Sequence, residues 1–214
     1  MTSMIIIGLT GMIASGKTTV SEMFTAKSIP VHNADKVVHR LLGPNGAAVA
    51  KIIDAFGADV GDNKGGIDRG KLGALVFGDE TARAKLEAIM HPMVRADRDD
   101  FLHRHRQANT PLVVLDIPLL FETGGDAICD YVIVTNAHAD VITKRALSRA
   151  GMTADKLAGI LQNQMPAADK IKRADMVLVT DMSIDQTRGQ LEDWLASLEM
   201  TDPRIDYHGQ NNPT

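Results

Sequence analysis

The stretch that most constrains this chain is Gly11–Thr18, GMIASGKT, which matches the phosphate-loop pattern G-x-x-x-x-G-K-[ST] at every fixed position. An apolar run at residues 4–7 precedes it and predicts a buried strand ended by Gly8. Apolar residues at 20, 23 and 24 follow at the spacing of an amphipathic helix. Because a strand, the loop and a helix follow one another in this order, a phosphate-binding site explains the stretch better than a turn that merely connects two elements.

Each fixed residue of the loop has a separate chemical reason. Gly11 and Gly16 let the backbone turn so that successive N–H groups converge on an anion. The helix that follows adds its free N–H groups and the positive end of its dipole. Lys17 supplies a charge for the outer phosphates of a nucleotide, and the Thr18 hydroxyl is suited to ligate Mg²⁺.

The composition excludes several classes of protein. The chain has 214 residues, of which 44% are hydrophobic and 23% charged, as in ordinary globular domains. The net charge of -4 argues against a chain-wide nucleic-acid surface. Cys129 is the only cysteine, which excludes an intrachain disulfide and fits a reducing compartment. No apolar run approaches the roughly 18 to 20 residues of a membrane span, so we expect a cytoplasmic protein.

Four further apolar runs predict strands at residues 29–32, 112–115, 131–134 and 176–179. The first closes a strand–helix–strand unit, which implies a parallel pair. Ligands of open parallel sheets bind at the carboxyl ends of the strands, so Asp35, just after the second strand, is a candidate for chemistry. Asp116 closes the third strand, where a metal-orienting acid and a turn-capping acid are equally good interpretations.

Residues 36–108 predict a mostly helical insertion, in which His91-Pro92 indicates a kink or a new helix start. The most basic segment, 95–106, is better explained as a solvated helix face than as a phosphate contact. A metal site is weaker still, because His103 and His105 do not share a helix face.

The stretch 139–173 is also predicted to be helical. Arg145 and Arg149 lie four residues apart, which would place them on one face as a phosphate clamp in a closing lid, with surface solvation as the alternative. Ser183 and Gln186 have the spacing of a capping box, which starts a last helix, and residues 201–214 predict a frayed tail.

Taken together, these residues resemble the dephospho-coenzyme A kinase family over residues 5 to about 180. The resemblance lies in Gly8-Leu9-Thr10-Gly11, Ser15-Gly16-Lys17-Thr18, Ala34-Asp35, His91-Pro92, Pro118-Leu119-Leu120-Phe121-Glu122, Lys144-Arg145, Arg149, Gln164 and Ala174-Asp175. The proline-containing stretch before Glu122, together with Ala34-Asp35, is far more restrictive than the phosphate loop alone.

The resemblance implies an α/β fold: a P-loop kinase-like three-layer sandwich with a five-stranded parallel sheet, a helical acceptor-binding insertion and a helical lid. One domain would cover 1–200, with a nucleotide-binding core (about 1–35, 110–137 and 174–200), the insertion (about 36–108) and the lid (about 138–173), before a disordered tail at 201–214. The implied reaction moves the γ-phosphoryl group of ATP, with Mg²⁺, to the ribose 3′-hydroxyl of dephospho-coenzyme A. Neither nucleic acid nor membrane is an implied partner, and a monomer or weak homo-oligomer is expected.

The resemblance also implies roles for individual residues. Asp35, Lys17 and Arg145 would be catalytic, with Asp35 accepting or orienting the hydroxyl proton. The implied ATP-binding residues are Gly11, Met12, Ile13, Ala14, Ser15, Gly16, Lys17, Thr18, Thr19, Arg145 and Arg149. The implied acceptor-binding residues are Thr10, Asp35, His91, Leu119 and Glu122, and the implied metal-binding residues are Thr18 and Asp116.

Several positions depart from the usual pattern of that family. Met12 and Ala14 stand where its loop usually has glycines, and Asn33 stands where it usually has Asp. Thr180-Asp181-Met182 replaces its usual Asn-x-Gly turn.

Two alternative functions remain at this point. One is a kinase for another small acceptor, such as a nucleoside monophosphate. The other is a nucleotide-hydrolysing switch, although the chain has no Asn-Lys-x-Asp segment of the kind that recognises guanine.

Overall fold

The sheet of this protein is built around the strand that precedes the phosphate loop. A computed structural model describes residues 4–204. All seven residues of the first strand are buried, as expected for a strand covered on both faces. The strands are β1 (Ile5–Gly11), β2 (Val31–Asn33), β3 (Leu112–Asp116), β4 (Tyr131–Asn136) and β5 (Met176–Val179).

Helices connect these strands throughout the described part of the chain. The α-helices are α1 (Lys17–Ala26), α2 (Ala34–Leu42), α3 (Val49–Phe56), α4 (Arg69–Val76), α5 (Glu80–Gln107), α6 (Ala139–Leu147), α7 (Ala154–Gln162), α8 (Ala167–Lys172) and α9 (Ile184–Thr201). Two short 3-10 helices cover Ala58–Val60 and Gly125–Ile128.

The five strands form one sheet in the order β2-β3-β1-β4-β5. β1 pairs in parallel with β3, where Leu9 lies opposite Asp116, and with β4, where Gly11 lies opposite Thr135. β4 pairs in parallel with β5. This register brings the end of β1, and therefore the start of the phosphate loop, beside the ends of both neighbouring strands.

Helices cover both faces of the sheet. Ile133 of β4 belongs to a buried cluster with Phe24 of α1 and Leu191 of α9. Its neighbour Val134 points the other way, into a cluster that includes Ile171 of α8. The predicted α/β three-layer fold with a five-stranded parallel sheet is therefore confirmed.

The second strand begins later than the sequence predicts. Residues 29–32 are the predicted strand, but the Ile29 N–H still bonds the Phe24 carbonyl at the end of α1 (3.1 Å). Ser28 holds a left-handed φ of 60°, which ends the helix. Extended structure therefore starts at Val31.

Residues 33–104 form a compact unit with their own core. The bounds of this unit are close to those of the predicted insertion, residues 36–108. The unit contains α2, α3, α4 and most of α5, and one antiparallel bridge joins Gly61 to Ile67. Its buried core is formed by Val37, Leu41, Leu42, Ala48, Ile52, Val60, Ile67, Leu72 and Met90. The described residues up to His32 and from His105 onward form the other unit.

The prediction of a new helix start at His91-Pro92 is wrong. α5 continues through Pro92 for 28 residues. Pro92 has no N–H to donate to the carbonyl of Ala88. Because Ala88 and Pro92 are both exposed, water can donate a hydrogen bond to that carbonyl instead. Met90 and Met93, which flank the proline, pack in the core of this unit and hold the helix together.

The last helix starts as predicted. The Ser183 side chain accepts from the Gln186 N–H (3.2 Å) and the Gln186 side chain accepts from the Ser183 N–H (3.1 Å), which completes the capping box. Of the predicted tail, the structure describes residues 201–204, and 205–214 lie outside the described residues. Among the helices at 4–204, none is long and apolar enough to cross a membrane.

A polar network follows α9. The Asp202 carboxylate accepts from Arg204 Nη2 (2.6 Å) and from the Tyr131 hydroxyl (3.1 Å). Arg204 also pairs with Asp130 (2.7 Å), whose other oxygen accepts from the Ile6 N–H of β1 (2.9 Å). The hydrogen bonds from Arg204 hold the pKa of Asp202 well below its ordinary value of 3.8. This network ties the end of the described chain to the central strand.

We expect Asp202→Asn to lower the free energy of unfolding at pH 7 by about 1 kcal/mol, because it weakens a charge-assisted network. Because the pKa of Asp202 is depressed in the folded protein, its carboxylate stabilises the fold at pH values above the unfolded-state pKa near 3.8. This stabilisation is lost as the pH falls below that value. Urea unfolding should therefore show a wild-type advantage that shrinks between pH 5 and pH 2. Asp185→Asn, at a side chain that is 88% exposed, is the control and should change little. An advantage independent of pH would contradict this assignment.

Candidate active site

The phosphate loop joins β1 to α1 and is shaped by close contacts with other strands. A side chain at Gly11 would overlap the hydroxyls of Thr135 and Ser15, so this position accepts only glycine. Gly16 has φ 87° and caps α1, where a left-handed backbone favours glycine. Both glycines of the pattern are thus required by geometry. The first turn of α1, which the structure describes in full, contains no acidic residue that would compete with a bound anion for the positive end of the helix dipole.

Ala14 replaces a usual glycine of the loop and keeps the glycine-like backbone. Its φ is 60°, a left-handed conformation that costs a non-glycine residue about 1 kcal/mol. Ala14 is buried and packs with Ala146 of α6 and Leu157 of α7. The departure from the family pattern is therefore accommodated by contacts outside the loop.

Lys17 and Asp116 form an ion pair at the centre of the site. The Asp116 side chain is fully buried and that of Lys17 is 13% exposed. β3 delivers Asp116 opposite Leu9, whereas Lys17 opens α1. A buried carboxylate needs a cationic partner, because burying an unpaired charge is costly. The structure thus joins the lysine of the phosphate loop to the acid that closes the third strand.

The donors around this pair fit Mg²⁺. A hydroxyl and a carboxylate are hard oxygen ligands, and Mg²⁺ is usually bound by one or two such groups together with substrate phosphates. Thr18 is exposed beside Lys17, and Asp116 is already placed against a cation. Within residues 4–204 there is no cluster of three or more acidic, histidine or cysteine side chains suited to hold a metal. Thr18 and Asp116 are the residues that would hold Mg²⁺ together with the phosphates of a nucleotide.

Glu122 is engaged within the protein. Its Oε1 pairs with Lys170 Nζ (2.8 Å) and accepts from the Met165 N–H (2.7 Å). Its Oε2 is buried with no hydrogen-bond partner among the described residues. Lys170 is fully buried and also approaches the Pro118 carbonyl (3.5 Å). The predicted acceptor residue Glu122 therefore fixes the segment after α7 to the segment after β3.

Two other predicted acceptor residues lie at the same end of the sheet. Thr10 is fully buried, and its hydroxyl donates to the Pro118 carbonyl (3.0 Å). Leu119 is half-buried in the turn that follows, where its carbonyl accepts from the Thr123 N–H (3.0 Å). Thr10 thus positions this turn through its hydroxyl.

Only one of the two arginines of the predicted clamp lies in α6. Arg145 lies in α6 and donates to the Thr180 carbonyl (2.8 Å). Arg149 is exposed and lies beyond the end of α6 at Leu147, so the prediction of one shared helix face is wrong. The helix ends because Ser148, a residue that competes for backbone hydrogen bonds, donates its hydroxyl to the Arg145 carbonyl (2.8 Å).

Asp35 and His91 lie in the unit formed by residues 33–104. Asp35 is exposed in the first turn of α2, directly after β2. Asn33 caps this helix by accepting from the Lys36 N–H (2.8 Å), so the departure at position 33 preserves the cap. His91 is exposed on α5.

Sequence reasoning missed two polar residues of the site. No role is predicted for Lys170 from the sequence, because nothing in its spacing reveals the buried partner Glu122, 48 positions earlier. Thr180 was noted only as a departure, but its hydroxyl donates to the Ser15 carbonyl of the phosphate loop (2.7 Å). A polar residue at a strand end, beside the predicted loop, was the available signal for Thr180.

Comparisons with known proteins identify the family of this chain. The family model of dephospho-CoA kinase matches residues 5–186. A dephospho-CoA kinase of Mesorhizobium japonicum is 48% identical over 189 residues, which cover 88% of this chain and 94% of that protein. One from Novosphingobium aromaticivorans is 43% identical and covers 95% of this chain and all (100%) of its own length.

Solved structures have the same fold. A Thermus thermophilus protein has a TM-score of 0.78 at 33% identity, covering 91% of this chain and 98% of its own. A dephospho-CoA kinase from Campylobacter jejuni has a TM-score of 0.64 at 23% identity, with 90% and 96% covered, and supports the fold. With a family match that spans most of its length and relatives above 40% identity, the chain belongs to the dephospho-CoA kinase family.

Proposed function

We propose that this chain transfers the γ-phosphoryl group of ATP to the ribose 3′-hydroxyl of dephospho-coenzyme A, giving coenzyme A and ADP. The observation that carries the proposal is the Lys17–Asp116 ion pair, which includes the lysine of a complete phosphate loop. The chain that contains this pair belongs to the dephospho-CoA kinase family. The loop supplies N–H groups for the phosphates, and Lys17 supplies the positive charge. Positioning and charge stabilisation are the main contributions of protein in phosphoryl transfer.

Individual residues have distinct tasks in this proposal. Asp35 accepts the proton of the 3′-hydroxyl as oxygen attacks the γ-phosphorus and the bond to the ADP oxygen breaks. Arg145 neutralises charge that develops on the phosphates. Thr18 and Asp116 would hold Mg²⁺, which would supply Lewis-acid stabilisation. His91, Leu119 and Glu122 shape the acceptor side. Residues 138–173 act as a lid that excludes water.

The partners follow from the same proposal. ATP and dephospho-coenzyme A are the substrates, and no nucleic-acid or membrane partner is required. A monomeric or weakly associating state and a cytoplasmic location stay predictions from the sequence.

Acceptor-dependent release of ADP tests the proposed reaction. Purified protein with Mg²⁺ and ATP should release ADP rapidly with dephospho-coenzyme A and form coenzyme A, but only slowly with adenosine, AMP or no acceptor. Rapid phosphorylation of AMP would point to a nucleoside monophosphate kinase. Equal ADP release without acceptor would identify a nucleotide hydrolase and overturn the proposal.

Asp35→Asn should separate binding from chemistry. The variant keeps the size of the side chain but removes the proton acceptor, so we expect kcat to fall by about 10²- to 10⁴-fold. The dissociation constant for ATP, measured by calorimetry, should stay unchanged. Asp54→Asn, at an exposed aspartate of α3 in the same unit, is the matched control and should retain wild-type turnover. Wild-type turnover in Asp35→Asn would remove Asp35 from the mechanism.

A further inference from the structure

The phosphate loop is held from outside by hydrogen bonds on both sides of Ala14. The N–H of Ile13 donates to Gln164 Oε1 (3.0 Å), and the carbonyl of Ser15 accepts from the Thr180 hydroxyl (2.7 Å). These bonds fix the two residues that flank the left-handed alanine. Because the loop lacks glycine at this position, its conformation depends on such contacts more than a glycine-rich loop would.

Gln164 is itself anchored. It lies two residues beyond the end of α7, and its own N–H donates to the Leu161 carbonyl (3.2 Å). The next residue, Met165, donates its N–H to Glu122, which is paired with the fully buried Lys170. The Gln164 amide therefore extends from a fixed backbone, which lets one side chain hold the loop at low entropic cost.

An apolar contact accompanies the hydrogen bond. Ala14 packs with Ala146 of α6 and Leu157 of α7, and Ile13 and Leu161 lie against the same cluster. The helices of the predicted lid and the phosphate loop thus share one small core. Gln164 supplies the directional polar contact at the edge of this core.

We propose that Gln164 is a positioning residue that holds the phosphate loop, through the Ile13 N–H, in the conformation that binds the phosphates of ATP. This inference rests on the proposed function only for the identity of the nucleotide. Loss of the hydrogen bond to Gln164 lets Ala14 leave the left-handed region, which turns N–H groups of the loop away from the bound phosphates. The affinity for ATP then falls, whereas the chemistry of bound ATP is little changed.

Gln164→Met tests the proposal, because methionine keeps the length of the side chain and removes the acceptor oxygen. We expect the dissociation constant and the KM for ATP to rise about fivefold, as for the loss of one hydrogen bond. The kcat and the KM for the acceptor should stay within twofold of wild type. Gln162→Met makes the same change at an exposed position at the end of α7 and should leave all four constants unchanged.

A second background separates positioning from general stability. Glycine adopts a left-handed backbone without the free-energy cost that alanine has. The conformation of the loop in the Ala14→Gly protein should therefore depend less on the hydrogen bond to Gln164. Gln164→Met should therefore weaken ATP binding by less than twofold in the Ala14→Gly protein. Thermal melting of each variant, including Gln164→Ala as a second substitution at this position, checks that every protein is folded at the temperature at which ATP affinity is measured.

The outcomes are distinct. Unchanged ATP affinity in Gln164→Met, or the same loss in both backgrounds, would overturn the positioning role. A fall in kcat with unchanged ATP affinity would also overturn it. If Gln164→Met weakens ATP binding as expected but wild-type protein phosphorylates no acceptor, the positioning role stands and the proposed kinase reaction fails.

Discussion

The ion pair between Lys17 and Asp116 is the interaction on which the rest of the site depends. Asp116 is fully buried at the end of β3, where an unpaired charge would be costly, and the Lys17 ammonium lies against it. A nucleotide phosphate that draws Lys17 away leaves this carboxylate in need of another cation. Under the proposed function, Mg²⁺ that accompanies ATP would meet that need, held by Asp116 and Thr18. The same carboxylate therefore pairs with Lys17 in this structure and, under the proposed function, would bind the metal of the nucleotide.

The phosphate loop is held by elements that lie far apart in the sequence. Thr135 in β4 bonds the Ser15 hydroxyl (2.6 Å), Thr180 after β5 bonds the Ser15 carbonyl, and Gln164 after α7 bonds the Ile13 N–H. The parallel register places the two strand ends beside the loop, and Glu122 fixes the segment that carries Gln164. These contacts connect the phosphate loop to α6 and α7, the helices of the predicted lid.

The local features of this chain were predictable from its sequence, and the long-range polar contacts were not. The phosphate loop, the alternation of strands and helices, and the Ser183 capping box each depend on neighbouring residues, so their patterns are visible in a short stretch. The Lys170–Glu122 pair joins residues 48 positions apart, and no periodicity records such a pairing. The end of α6 before Arg149 was missed because a four-residue spacing predicts a shared face only if the helix continues. The family resemblance supplied the acceptor, which the phosphate loop alone leaves open.

The most direct test of this account is calorimetric measurement of ATP affinity, with Mg²⁺, in the double variant Lys17→Met, Asp116→Asn. Removing both charges avoids leaving one buried and unpaired, so the variant should fold. We predict that its dissociation constant for ATP rises at least about 30-fold, because a charge-assisted contact to phosphate is lost. Affinity close to that of the wild-type protein in a folded double variant would mean that the pair serves stability alone, and would contradict the assignment of this site to the phosphates of ATP.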